Sequence, residues 1–184
     1  MKVFLISFVV VFVLCSFCAD NAFQQVIDAP QNGSLKSRLE LFEKNGIERS
    51  IGWNDSIAVD SLIAVAKSYM QTPHRMGGVS HKGIDCSGLV YASFRHFGIN
   101  LPHSSHEQGR YGKVIPAMDE LQKGDLVFFY NSYNSRNLIT HTGIYLGDGE
   151  MIHTSNTSGV VIISLENSSY WKPRFLFGTR VVQL

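Results

Sequence analysis

Cys86, His141 and His153 are the side chains of this sequence whose types could together carry out nucleophilic catalysis. A thiol with an ordinary pKa near 8.5 is only about 3% ionised at pH 7, so a nucleophilic cysteine needs a helix N-terminus or an imidazole close by. Cys86 opens a run from Asp85 to Gly98 in which Leu89, Val90, Phe94 and Phe97 recur at helical spacing. Asp85 suits an N-cap and Gly98 a C′ stop. The thiol is thus predicted in the first turn, continuing the stripe by which the helix packs.

The histidines flank Gly147-Asp148-Gly149. If those three residues form the loop of a hairpin, His153 lies opposite Gly143 and diagonal to His141 on the same sheet face. A two-residue loop would put the two rings on opposite faces. With the longer turn, a helix packed on that face brings Cys86 to both imidazoles, one as base and the other orienting it. Spacing alone leaves two alternatives open. Cys86 could be an inert buried thiol, or part of a Cys-His-His zinc site, although none of the three belongs to a CxxC or HxxxH pair that would support the metal.

The elements that must position these residues change character along the chain. Leu35, Leu39, Leu41 and Phe42 predict a helix over Ser34 to Asn45 that stops at Gly46, and a second runs from a cap at Asn54 or Asp55 to Met70. Pro73 and Gly77-Gly78 force a loop before the cysteine helix. From Gly124 onward the pattern is of strands, over 125–130, 139–146, 150–154, 159–163 and 176–182. Helices followed by antiparallel strands predict an α+β domain.

Composition narrows the function. Among 184 residues, 45% are hydrophobic and 17% charged, which excludes global disorder. The 16 Lys+Arg against 15 Asp+Glu argue against a nucleic-acid partner held by phosphate neutralisation. Met1-Lys2, an apolar run from Val3 to Phe17 and small residues beyond read as an export signal over 1–18. The run is short for a membrane span of about 20 residues. Cys18 is either next to the cut or a lipid-attachment site. Residues 19–54 read as a tether and one helix, with Asp20 to Ser34 as the polar tether, and 55–184 as the catalytic domain. Cys15 and Cys18 fall within the signal, so the exported domain keeps one thiol, Cys86, with no disulfide to explain it.

The segments Asp85-Cys86-Ser87-Gly88-Leu89-Val90, Gly98-Ile99-Asn100-Leu101-Pro102, Gly124-Asp125-Leu126-Val127-Phe128-Phe129 and His141-Thr142-Gly143-Ile144-Tyr145-Leu146-Gly147 resemble the NlpC family of bacterial cell-wall cysteine peptidases. The resemblance runs from about Ile57 to Val182, with the motifs in the family's order. It implies a papain-like fold and hydrolysis of peptide bonds in peptidoglycan stems or crosslinks. It makes Cys86 the nucleophile, His141 the base and His153 the orienting third residue, with no metal or cofactor.

By the same resemblance Asp85 and Ser87 match positions that bind a free stem amine in some members. As first-turn residues they serve equally as helix cap and solvated side chain. His74 stands where the family usually has a tyrosine lining the site, in Pro73-His74-Arg75-Met76-Gly77-Gly78. His103 and His106 read as loop and cap residues, with lining of the groove as the alternative. The expected partner is a peptidoglycan peptide, met by a monomer in the bacterial cell envelope, in the periplasm or lipid-anchored. Small lipoprotein-type murein endopeptidases are the nearest members. The competing functions are a γ-D-glutamyl-diamino acid endopeptidase restricted to free stem peptides, amide chemistry on a non-wall molecule, and a non-catalytic envelope-binding protein.

Overall fold

The computed structural model describes residues 22–29, 32–51 and 58–181. The predicted export signal, Asn54 and Asp55 lie outside these residues. The first helix, α1 (Ala22–Asp28), falls in the stretch read as a tether. It buries Phe23, Val26 and Ile27, with the Phe23 ring 5.2 Å from Phe177 and 5.9 Å from Phe42. Three apolar residues within five positions are enough to dock one short helix, although polar neighbours mask them in composition.

Helix α2 (Gly33–Lys44) is capped by Asn32, whose side chain accepts the Leu35 N–H. Leu35, Leu39 and Phe42 face inward, while Leu41 is exposed. Helix α3 (Val59–Ser68) begins later than predicted, because Ala58 is still extended. A small hairpin, β1 (Val79–Ser80) with β2 (Gly83–Ile84), leads into α4 (Cys86–Arg95). Asp85 caps α4 through the Gly88 N–H. The helix closes in a Schellman arrangement, with Gly98 N–H on the Arg95 carbonyl and Ile99 N–H on that of Phe94.

Next comes α5 (Ser105–Gln108), followed by β3 (Lys113–Ile115), β4 (Leu126–Phe129), β5 (His141–Gly147), β6 (Glu150–Ser155), β7 (Gly159–Ser164) and β8 (Phe175–Arg180). The last six form one antiparallel sheet in the order β3-β8-β4-β5-β6-β7. Strand alternation splits its side chains into two sets. Leu126, Phe128, Ile144, Ile152, Val160 and Phe177 meet the helices, including Leu89, Val90 and Phe94 of α4, in the main core. On the other face Val127, Phe129, Tyr145 and Met151 pack with Trp171 and Phe175.

Candidate active site

The β5–β6 hairpin turns on two residues, Asp148 and Gly149, both at positive φ, since Gly147 pairs with Glu150. A regular ladder from that turn would separate the histidine faces. Instead the register shifts between Tyr145 and Gly147, leaving Leu146 as an extra residue, so Ile144 pairs with Ile152. Gly147, at φ +91°, supplies the left-handed conformation of the bulge. The bulge therefore produces the register expected of a three-residue loop. His141 and His153 share a face, with His141 Nε2 and His153 Nδ1 2.9 Å apart.

That face is not the one α4 covers. The imidazoles stand on the Phe129 and Tyr145 side, whereas α4 packs against the Ile144 and Ile152 side. The expectation of a helix lying over the histidines is corrected here. Paired residues of β5 and β6 stop at Ile144 and Ile152, short of His141 and His153. Near this end of β5 the Cys86 sulphur meets the Thr142 backbone N–H. Cys86, His141 and His153 consequently line one cavity of about 910 Å³, despite approaching from different layers.

The free thiol of Cys86 is surrounded by protein although the residue is partly exposed. Burial pushes it up to about 12, the Asp85 charge adds to the rise, and the N–H groups of Thr142, Ser87 and Cys86 itself only partly oppose it. Burial and the Asp85 charge thus outweigh the helix N-terminus and favour the thiol over the resting thiolate that the sequence suggested. His141 is held well below its ordinary 6.5 by burial first, then by His153 and His74. Burial lowers His153 to about 4. These shifts favour the neutral form of all three groups.

Asp85 is buried and occupied. Its Oδ1 accepts from Gly88 N–H at 2.7 Å and from the Ser87 hydroxyl at 3.0 Å, and it meets His103 Nε2 at 3.1 Å; Oδ2 accepts from Gly77 N–H at 2.6 Å. Burial alone would raise this carboxyl, but the Gly88, His103 and Gly77 contacts outweigh it and lower the pKa. Ser87 is likewise buried rather than solvated. Gly88 completes the fit, because a Cβ there would run into the Gly78 carbonyl oxygen.

His74 lines the cavity, joined to Ile84 by an isolated backbone bridge. His103 lines it too, stacked on Tyr91 at 5.6 Å, which is the groove-lining alternative to a plain loop residue. His106 is structural, its ring edge-on to Phe42 and beside Arg110. Trp171 went unnoticed in the sequence. Its indole stacks on His141 at 4.3 Å, and only strand pairing places the β7–β8 connection over that ring.

The NlpC/P60 family model matches residues 71–180, a stretch that holds Cys86, both histidines and Trp171. The chain belongs to the NlpC/P60 family. Over 110 residues it is 44% identical to "Murein DD-endopeptidase MepS/Murein LD-carboxypeptidase" of Escherichia coli K12, covering 59% of this chain and 55% of that protein. The match thus spans about half the length of that relative. A "Probable endopeptidase NlpC homolog" of Haemophilus influenzae is 34% identical over 97% of this chain and 96% of its own. An NlpC/P60 family crystal structure from Bacillus cereus superposes with a TM-score of 0.62 at 34% identity, covering 69% of this chain and 41% of that one. Helices packed on a mostly antiparallel sheet, shared with such NlpC/P60 structures, give the α+β, papain-like architecture that the sequence implied.

Proposed function

We propose that this protein is a cysteine peptidase that hydrolyses peptide bonds in peptidoglycan stem peptides or crosslinks. The observation that carries the reading is the 2.9 Å contact between His141 Nε2 and His153 Nδ1 in the cavity that holds the Cys86 thiol. With His141 donating from Nε2 to His153, its Nδ1 is left to take the thiol proton. Because both partners rest neutral, the proton moves as sulphur attacks the amide carbonyl carbon. The Cys86 N–H, a first-turn donor with no acceptor inside its helix, supports the oxyanion. The C–N bond then breaks, His141 returns the proton to the departing amine, and a thioester remains on Cys86. Water, losing a proton to the same Nδ1, cleaves the thioester and restores the thiol.

Substrate and place of action come from the relatives' printed activities together with the expected export signal over 1–18. On this reading the protein acts in the cell envelope, with Cys18 at the cut or carrying lipid. Asp85 already receives four contacts from the protein, about the capacity of one carboxylate. This favours cleavage within crosslinked peptides over an enzyme restricted to free stems, whose amine would need that carboxylate. The test is mass analysis of purified muropeptides after incubation with the protein. Shortened or uncrosslinked peptides carrying one added water are expected. Intact muropeptides beside a cleaved non-wall amide would overturn the assignment.

A further inference from the structure

Trp171 sits in the connection between β7 and β8, at the start of a short turn over Lys172–Arg174. Its backbone is tied down on both sides: the Trp171 N–H donates to Ser168 Oγ at 2.9 Å, and the Trp171 carbonyl accepts the Arg174 N–H at 2.9 Å. The neighbouring Tyr170 hydroxyl donates to the Ser132 carbonyl, and Arg174 Nε to that of Asn131, which joins this turn to the loop after β4. The indole lies nearly parallel to His141, at 4.3 Å and 23°, and edge-to-face with His153, at 5.2 Å and 75°. Phe129 backs it at 5.0 Å.

We infer that Trp171 is the positioning residue of His141: its indole covers the imidazole that meets His153 and holds that ring with Nε2 on its partner. Three physical effects follow. A stacked indole blocks the ring flip that would put Cδ2 and Cε1 where Nδ1 and Nε2 stand, and so keeps Nδ1 available to the thiol. It keeps water from the His141–His153 hydrogen bond, which is stronger in a dry setting. Its π face attracts the imidazolium that forms only when His141 has taken the Cys86 proton, so the benefit falls on the transition state.

The other ionisable groups around His141 are His153 from β6, His74 from the loop before β1, and Cys86 with Asp85 at the start of α4. None of them supplies a stacking surface against it in the way Trp171 does.

The inference rests on His141 as the base, and the variants separate the two ideas. Trp171→Leu keeps an apolar filler without a π face, and Trp171→Phe restores a ring. For Trp171→Leu, kcat on muropeptides is expected to fall about tenfold, the rate equivalent of one partly desolvated cation–π contact, with KM near the parent value. The acid limb of its kcat/KM profile is expected to move up toward 6.5, because burial is the main influence holding His141 low and the smaller side chain admits water. Trp171→Phe is expected to recover most of kcat and the parent limb. An unchanged acid limb in Trp171→Leu, or a loss confined to KM, would overturn the inference and make Trp171 a wall of the substrate cleft. Far-ultraviolet circular dichroism confirms folding of each variant before its kinetics are compared. If His141→Ala keeps parental activity, the base assignment itself fails, whatever Trp171 does.

Discussion

At Cys86 two influences oppose each other. The first turn of α4 offers N–H groups that favour a thiolate, while burial and the Asp85 charge favour the thiol, and the second pair dominates. His141 is driven in the complementary direction, toward a neutral base. Since its pKa lies below 6.5, the base stays available as pH falls through 6.5, and the acid limb of kcat/KM is expected beneath that value. With the thiol near 12, no falling limb is expected up to about pH 9. Alkylation of Cys86 by iodoacetamide should keep accelerating with pH over the same range. A plateau in alkylation from pH 6, or a bell-shaped rate profile centred near neutrality, would instead indicate a resting thiolate–imidazolium pair. Cys86, His141 and His153, which line one cavity, were legible in the sequence as candidates because few residue types do this chemistry. Their protonation was not, since it depends on burial, and neither was Trp171, which approaches from a distant loop.

Among the elements, α4 and the β5–β6 hairpin do the positioning. Asp85 closes the first turn of α4 while gripping Gly77, Ser87 and His103, so its removal reaches beyond one cap. Asp85→Ala is expected to cost at least about 2 kcal/mol of stability in urea unfolding, from the lost cap together with a buried donor left without its acceptor. Asp85→Asn keeps an acceptor for Gly88 and removes the charge. It should therefore lower the Cys86 pKa and speed alkylation at a given pH; slower alkylation would contradict the electrostatic role. The hairpin shows how far spacing could be read. Apolar alternation placed β5 and β6 within about two residues, and Gly147-Asp148-Gly149 marked their turn. Whether the extra residue sits in the loop or in a bulge is decided by the twist and packing of the ladder. The same ambiguity hid which sheet face α4 would cover.

For the molecule as a whole, the domain extends further toward the N-terminus than its motifs indicate. Phe23 is fully buried against Phe42 and Phe177, and Arg110, just past the end of α5, donates to the carbonyls of Phe42 in α2 and of Gly46 just beyond it. Phe23→Ala is expected to destabilise by about 3–5 kcal/mol, measured by urea denaturation; a change below about 1 kcal/mol would show α1 to be dispensable. The buried histidines also make folding pH-dependent. An unfolded His153 takes a proton near 6.5 but the folded one only near 4, so the unfolded state binds more protons between those values. Stability present above 6.5 is thus expected to fall by about 3 kcal/mol as pH drops to 4, with His141 adding to the loss. Equal stability at pH 7 and pH 4.5 would contradict burial of neutral rings. The most direct test of the chemistry is the hydrolysis rate of Cys86→Ala on purified muropeptides, beside the unaltered protein. A fall of at least about a thousandfold with the fold intact is expected of a nucleophile, whereas a rate within tenfold of the parent would contradict a cysteine peptidase.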